Sequence, residues 1–521
     1  MNLPQHLMSS SKPCAIAAAA LSIGLISSCS LGPDYEAPDL RVNSDWQSQG
    51  SSVLSRDRSK VDAQWWRQFR DPQLNAFIED AYDENLTLRV AALRILESRT
   101  LLGIAEGNLY PQSQAMSGDA FALRETGGNG ENLTSASIGF DAQWELDFWG
   151  KFRKSIEVAD ANLMADVASF DDVLISLTAE VATAYVNVRT LEERIDLSQK
   201  NAKLQEESLQ IVELQFKAGT VTELDVLQAK TLLTNTQAQI PRFQASLYKV
   251  QNALSVLLAK DVKVIRSQLK RSKGIPKAPT QVAVGVPAEL LRRRPDIRRA
   301  ELVAMAQSER IGIARADLYP SFSLAGFLGT SATSFGSSSI SNTFDSSNFG
   351  YTFGPTFRWN ILNYGRIKNA VRAEDARLEI ALTDYQNTVL NAAREVEDGM
   401  TSFIHTRREA EFLRQGVDSS QKSTEISMIQ YKDGLTDYQR VLDSIRSLTQ
   451  RQDQYASVRG TIATDFIAMY KALGGGWELR DREDAIPSHV RDRMQKRTDW
   501  GTFLQRPEDA NSVTTNSSKK G

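Results

Sequence analysis

Three histidines (His6, His405, His489) and two cysteines (Cys14, Cys29) are the only imidazoles and thiols among 521 residues, the groups on which a His/Cys zinc site or a histidine base would depend. They are scattered along the chain, whereas a zinc site needs about four clustered ligands. A hydrolase needs a convergent nucleophile and base, and neither His405, in a helical heptad register, nor His489, in a polar tail, supplies one. Two carboxylates remain, Asp225 and Asp443, each a few residues beyond a glycine (Gly219, Gly434). At such places a carboxylate either caps a helix or sets a local electrostatic field. The other chemically distinctive group is the thiol of Cys29.

Cys29 closes the run Ala15 to Ser28, which is built of small and apolar residues and preceded by Lys12. A short apolar core after a basic residue is a secretory signal, so residues 1–28 are read as a removable leader. Ile26-Ser27-Ser28-Cys29 resembles a bacterial lipobox, in which Cys29 is diacylated on sulfur and becomes the mature N-terminus. The alternative is a free thiol after an ordinary cleavage site. Ser30 follows, with no aspartate to signal retention at the inner membrane, which points to the outer membrane. Acyl chains anchor without spanning.

Lys and Arg number 61 against 64 Asp and Glu, a net charge of −3, which argues against nucleic acid as a partner. Hydrophobic residues make up 41% and no run reaches the ~18 apolar residues of a spanning helix, so a polytopic helical membrane protein is excluded.

The chain is an internal duplication. Arg89-Val90-Ala91 to Leu109-Tyr110-Pro111 aligns with Arg298-Arg299-Ala300 to Leu318-Tyr319-Pro320 at an offset of 209. Downstream the offset is 215, matching Trp144 to Trp359, Gly150 to Gly365 and Gly219 to Gly434. The six extra residues fall in the Ser/Gly-rich stretch Ser331 to Asn348, read as a loop. The segments are a first repeat at 29–257, a basic, solvated connector at 258–285, a second repeat at 286–477, and a polar tail at 478–521. That tail has no apolar period and is expected to be disordered.

Each repeat shows the same parts in the same order. A helix (Leu74 to Gly107; Ala288 to Ala316) stops at Tyr-Pro, since proline cannot continue it. A strand, a loop and a second strand follow. In Ala136 to Leu146 every even position is apolar and every odd one is polar or Gly. Phe349, Tyr351, Phe353, Pro355, Phe357, Trp359 and Ile361 alternate likewise with polar residues and glycines. Strict period two gives one apolar and one wet face. A sandwich core has the same pattern, but four strands are too few for one, and about eleven residues is the length of a tilted strand crossing a bilayer. Trp144, Phe148, Trp149, Phe357, Trp359 and Tyr364 gather at the strand ends like an interfacial belt. Open edges are not tolerated in lipid, so the chain must oligomerise to close a barrel.

A very long helix comes next (Lys151 to Lys217; Arg366 to Lys432), then a glycine turn and a return helix (Thr222 to Leu258; Thr436 to Leu473). Leu177, Val181, Ala184, Val188, Leu191 and Ile195 step by four and three, the 3.5-residue period of a left-handed coiled coil. A 67-residue helix spans ~100 Å, about right for crossing a periplasm. The partner seam (Ala392, Val396, Gly399, Phe403, Thr406, Ala410) carries smaller residues.

Taken together, Tyr-Pro, an alternating strand, Trp-Gly-Lys or Tyr-Gly-Arg and a long helix, all twice, resemble the TolC-like outer membrane efflux family. The closer resemblance is to its lipoprotein branch, the NodT/OprM-like factors of RND pumps. Cys29 to Tyr35, Val286 to Ile297 and Lys471 to Trp477 carry it. The resemblance implies a mixed α/β membrane protein: a homotrimer with a twelve-stranded transmembrane β-barrel, four strands per chain, continued by a periplasmic α-helical coiled-coil barrel. It also implies docking to a periplasmic adaptor and an inner-membrane RND transporter, with no cofactor beyond the lipid on Cys29. The expected function is a passive export duct for drugs or other small molecules. The alternatives are the duct of a type I protein secretion system and a structural lipoprotein tether, which would lack lipid-facing strands.

In that family acidic residues just past the tip turns ring a constriction, and Asp225 and Asp443 match those positions. Thr222-Glu223-Leu224-Asp225 also reads as a capping box, which is the competing role for Asp225. Asp443 lies beyond capping reach, and its competing role is a solvated face. Arg440, the repeat equivalent of Asp225, is a candidate to pair with it as a lock; a surface pair with Asp437 is the alternative. Gln439 stands where many relatives carry an apolar residue, so a hydrophobic ring is not expected there. Gly219, Thr220, Gly434 and Leu435 form the tips expected to meet the adaptor.

Overall fold

The computed structural model describes residues 31–37, 46–47, 54–55, 64–124, 132–270, 274–283, 293–335, 343–477, 479 and 486–504. The leader, Cys29, Val286 to Arg292 and most of the tail therefore lie outside the described residues. In order come α1 (Pro72–Glu84), α2 (Leu86–Gly107), β1 (Ser113–Arg124), β2 (Asn132–Leu146), α3 (Lys151–Lys217), α4 (Glu223–Leu257) and α5 (Val262–Leu269). The second repeat follows with α6 (Pro295–Ala316), β3 (Ser321–Phe335), β4 (Phe349–Arg358), α7 (Arg366–Lys432) and α8 (Tyr438–Ala472), and then comes α9 (Ser488–Arg497). The two 67-residue helices have the limits that the sequence predicts.

The chain divides into two units. The first (Met1–Pro38, Glu97–Ala165, Ala300–Tyr385) contains one antiparallel four-stranded sheet in the order β1-β2-β3-β4. Consecutive strands within each repeat are hairpin neighbours, and β2 joins β3 across the duplication. β3 runs to Phe335, so the first five residues of the predicted Ser331 to Asn348 loop are strand, paired to β2 by Ser331↔Ser137 through Phe335↔Leu133. β4 ends at Arg358, three residues short of the predicted Ile361.

The second unit (Asp39–Leu96, Asp166–Arg299, Gln386–Gly521) is helical. Its largest core packs α1, α3, α7 and α8 around Trp65, Phe77, Leu174, Tyr185, Phe403 and Phe466. Trp65 stacks on Tyr470 with ring centroids 6.0 Å apart. Asp71 caps α1 by accepting from the N–H groups of Gln73 and Leu74, and also accepts the Tyr185 hydroxyl at 2.7 Å. Of the predicted seam residues, Leu177, Val181, Ala184 and Val188 are buried, and Leu191 and Ile195 are half-buried. On the partner seam Ala392, Val396, Phe403 and Ala410 are buried as well. Gly460 sits where any Cβ would collide with Thr190, so the helices approach through the missing side chain.

Three expectations need correction. The helix predicted from Leu74 breaks at Asn85, whose extended backbone ends α1 and whose carboxamide oxygen accepts the Leu88 N–H at 2.9 Å, starting α2. The connector is not merely solvated: α5 buries Ile265 and Leu269, four residues apart, in the main core. Nor is the whole tail structureless, because α9 folds Val490 and Met494 against Leu96. Two apolar residues in a charged stretch leave little period to detect in sequence.

Candidate functional site: sheet faces and helical tips

The strand register sorts the sheet into two chemically distinct faces. Met116, Phe140, Leu328 and Tyr351 lie in one cross-strand row, with Met116 76% and Tyr351 80% exposed. Ala136, Ile138, Ala142, Trp144, Leu324, Phe353 and Phe357 share that face by alternation. Asp119, Asp141, Glu145 and Arg358 all fall on the other face. There Ser117 donates to Asp141 at 2.8 Å and Ser137 to Asp119. An exposed aromatic-rich face opposite a hydrogen-bonded polar one suits lipid outside and water inside.

At the foot of the sheet both repeats use the same device. The Trp144 indole donates to the Leu109 carbonyl at 3.1 Å, and Trp359 donates to the Leu318 carbonyl at 3.0 Å. Each tryptophan thus satisfies its N–H against the turn before Tyr-Pro, as belt tryptophans do at an interface. Trp149 donates to the Pro320 carbonyl at 2.8 Å, and Lys151 pairs with Asp317 at 2.7 Å. These bonds join the start of α3 to the end of α6.

At the other end of the long helices the tips are built alike. The Gly219 N–H reaches the Phe216 carbonyl and the Thr220 N–H the Gln215 carbonyl; Gly434 to Tyr431 and Leu435 to Gln430 repeat the pattern. This is the Schellman ending, which needs a left-handed residue, and Gly219 and Gly434 have φ of 76° and 72°. Neither glycine has an atom near its Cβ direction, and Leu435 is 75% exposed. Thr220 is exposed and donates its hydroxyl to the Gln215 carbonyl.

Below the turns, Val212, Ala229, Tyr431, Tyr438, Val441, Leu442 and Ile445 pack the two hairpins into one small core. Asp225 accepts the Thr222 N–H at 3.0 Å and its hydroxyl at 2.7 Å, which is the capping arrangement. Asp443 is exposed, accepts from Gln439 at 3.2 Å and pairs with Arg446 at 3.0 Å. Asp437 caps α8 through the Arg440 N–H. Among the described residues no ion pair joins Asp225 to Arg440.

Sequence reasoning missed two residues here. The Tyr431 and Tyr438 rings lie in tilted contact with centroids 5.4 Å apart, and the Tyr438 hydroxyl bonds to Ser208 at 3.1 Å. Burial, then the neighbouring Tyr438 and Asp225, pushes the Tyr431 phenol up to about 12. The available signal was divergence between the repeats, since Tyr431 stands where the first repeat has Phe216.

A sheet with one apolar and one polar face, joined to very long helices, has the build of an outer membrane channel subunit. The sequence profile described as outer membrane efflux protein matches residues 77–260 and 286–475, and the chain belongs to that family. It is similar to Nodulation protein T of Rhizobium leguminosarum bv. viciae, at 30% identity over 89% of this chain and 93% of that protein. It is also similar to the pyoverdine export outer membrane protein OpmQ of Pseudomonas putida, at 30% identity over 92% and 99%. The solved outer-membrane channel OprN superposes with a TM-score of 0.79 at 31% identity, covering 86% of this chain and all of that one. The chain is an efflux channel of the outer membrane.

Proposed function

We propose that three copies of this chain assemble a passive exit duct that releases small molecules through the outer membrane without catalysing a reaction. Four strands with unpaired edges at β1 and β4 support the count: three copies supply twelve strands, and joining β1 to β4 leaves no edge in lipid. The observation that carries this reading is the register, which puts Asp119, Asp141, Glu145 and Arg358 on one face and the exposed aromatics on the other. The apolar face also speaks against a mere tether.

In this reading Cys29 carries the acyl anchor. The exposed tips at Gly219, Thr220, Gly434 and Leu435 receive a periplasmic adaptor, which links the duct to an inner-membrane RND transporter. Asp443 with Gln439 faces the pore as a gate, while Asp225 acts first as a cap and Arg440 stands beside it. Three Asp443 carboxylates in a narrow pore would favour cations.

The test is single-channel recording in a planar bilayer, wild type beside Asp443→Asn, with the oligomer mass measured in detergent. A trimer that passes a cation-preferring current, with weaker preference in Asp443→Asn, supports the reading. A monomer, or no current from either protein, overturns it.

A further inference from the structure

The polar face of the sheet does not stay polar along its whole length. From the foot upward it carries Glu145, Gln143, Asp141, Ser117, Ser137 and Asp119. At the end remote from α2 and α3 apolar side chains enter it, beside Ser135 and Thr333, which bond to each other at 3.2 Å. Phe121 pairs with Ser135, and Leu123 with Leu133. On the lipid-side face Ala122 and Thr134 pair at the same height.

Phe121 and Leu123 are 53% and 61% exposed. Lipid cannot shield them, because they point away from the Met116–Phe140–Leu328–Tyr351 row. Phe327, another aromatic on the polar face, is accounted for differently: it lies over Gly139 and Gly329, where a Cβ would strike its ring. Phe121 and Leu123 have no such seat.

We propose that Phe121, Leu123 and Leu133 form an apolar collar inside the outward mouth of the duct, and that it favours cargo with an apolar or aromatic moiety over hydrated ions. The inference rests on the duct reading above. In three copies these residues repeat around one opening, where a water column loses hydrogen-bonding partners and a hydrophobic cation gains contact.

The test is block of the current by tetraalkylammonium ions added from the side of the strand loops. In wild type, tetrapentylammonium should block far better than tetramethylammonium. The double variant Leu123→Ser/Leu133→Ser should weaken tetrapentylammonium block by about tenfold or more, roughly 1.4 kcal/mol, and leave tetramethylammonium unaffected. Ala122→Ser, at the same height on the other face, should change nothing. If the double variant does not assemble, Phe121→Ser alone should weaken the block in the same direction. Block that is equal in wild type and variants, or insensitive to alkyl length, overturns the collar and leaves the duct standing. No current from wild type, Asp443→Asn or either serine variant overturns the duct, and the collar with it.

Discussion

Asp225 closes on Thr222, taking both its backbone N–H at 3.0 Å and its hydroxyl at 2.7 Å. The same carboxylate lies near enough to the Tyr431 and Tyr438 phenols to help hold them protonated. Its repeat counterpart Arg440 makes no such cap, since Asp437 caps α8. The two hairpin tips are therefore alike in backbone and different in chemistry.

Asp225→Ala should lower stability by ~1 kcal/mol through loss of the cap. Asp443→Asn should stay within about 0.5 kcal/mol, because its partner Arg446 is an exposed ion pair. Equilibrium unfolding in detergent separates the two; equal losses would mean that Asp443 is also structural.

Ala259 holds φ of 48° at the end of α4, in the place where the second repeat has Gly474 at 73°. The bonds match: Ala259 to Val256 and Lys260 to Ser255, against Gly474 to Lys471 and Gly475 to Tyr470. A left-handed alanine is strained by ~1 kcal/mol, so Ala259→Gly should stabilise the protein by about that amount. Ala259 is exposed, so the change forfeits no packing. A drop in the unfolding midpoint would contradict the assignment.

Gly460→Ala should destabilise by ~1–3 kcal/mol, since its methyl group meets the stiff, β-branched Thr190. Thr190→Ala in the same chain should restore much of the loss. Thermal melts of the two single variants and the double variant give the coupling directly.

Burial raises the Asp465 carboxyl above its ordinary range, against the lowering effect of the Thr406 hydroxyl bond at 2.7 Å. A raised folded-state pKa means that the protonated form is favoured. That increment of stability is present below the ordinary carboxylate pKa and is lost as pH rises through the raised value. Asp465→Asn keeps an acceptor for Thr406 and removes the charge. It should therefore gain Tm relative to wild type at pH 8 and little or nothing at pH 4. An equal shift at both values would rule out the charge as the cause.

The long helices were legible because glycines and Tyr-Pro punctuate them at repeated spacing, and the sheet because alternation persists over ten residues. Asn85 was missed because the apolar period continues across it, and only the side chain's bond to Leu88 reveals the break. The α9 packing was missed because Val490 and Met494 find their partner, Leu96, almost four hundred residues earlier. At the tips the spacing points to Asp225 and Asp443 but leaves Asp225 between a cap and a pore charge; only its two bonds to Thr222 display the cap. Tyr431 and Tyr438 carry no motif at all; their meeting is a product of the turn.

The open edges at β1 and β4 also bear on how the protein is made. A single copy has no stable place in a bilayer, because each unpaired amide or carbonyl there costs several kcal/mol. In the trimer proposed above, membrane insertion and subunit joining are then one event, with unjoined chains as its precursors. A defective copy with a normal β1 edge would be recruited and then spoil its neighbours. In a cell expressing both versions of the proposed trimer, two-thirds of the chains being sound would leave roughly 30% of assemblies intact by random mixing. Loss-of-function alleles at the β4 edge should therefore behave as dominant.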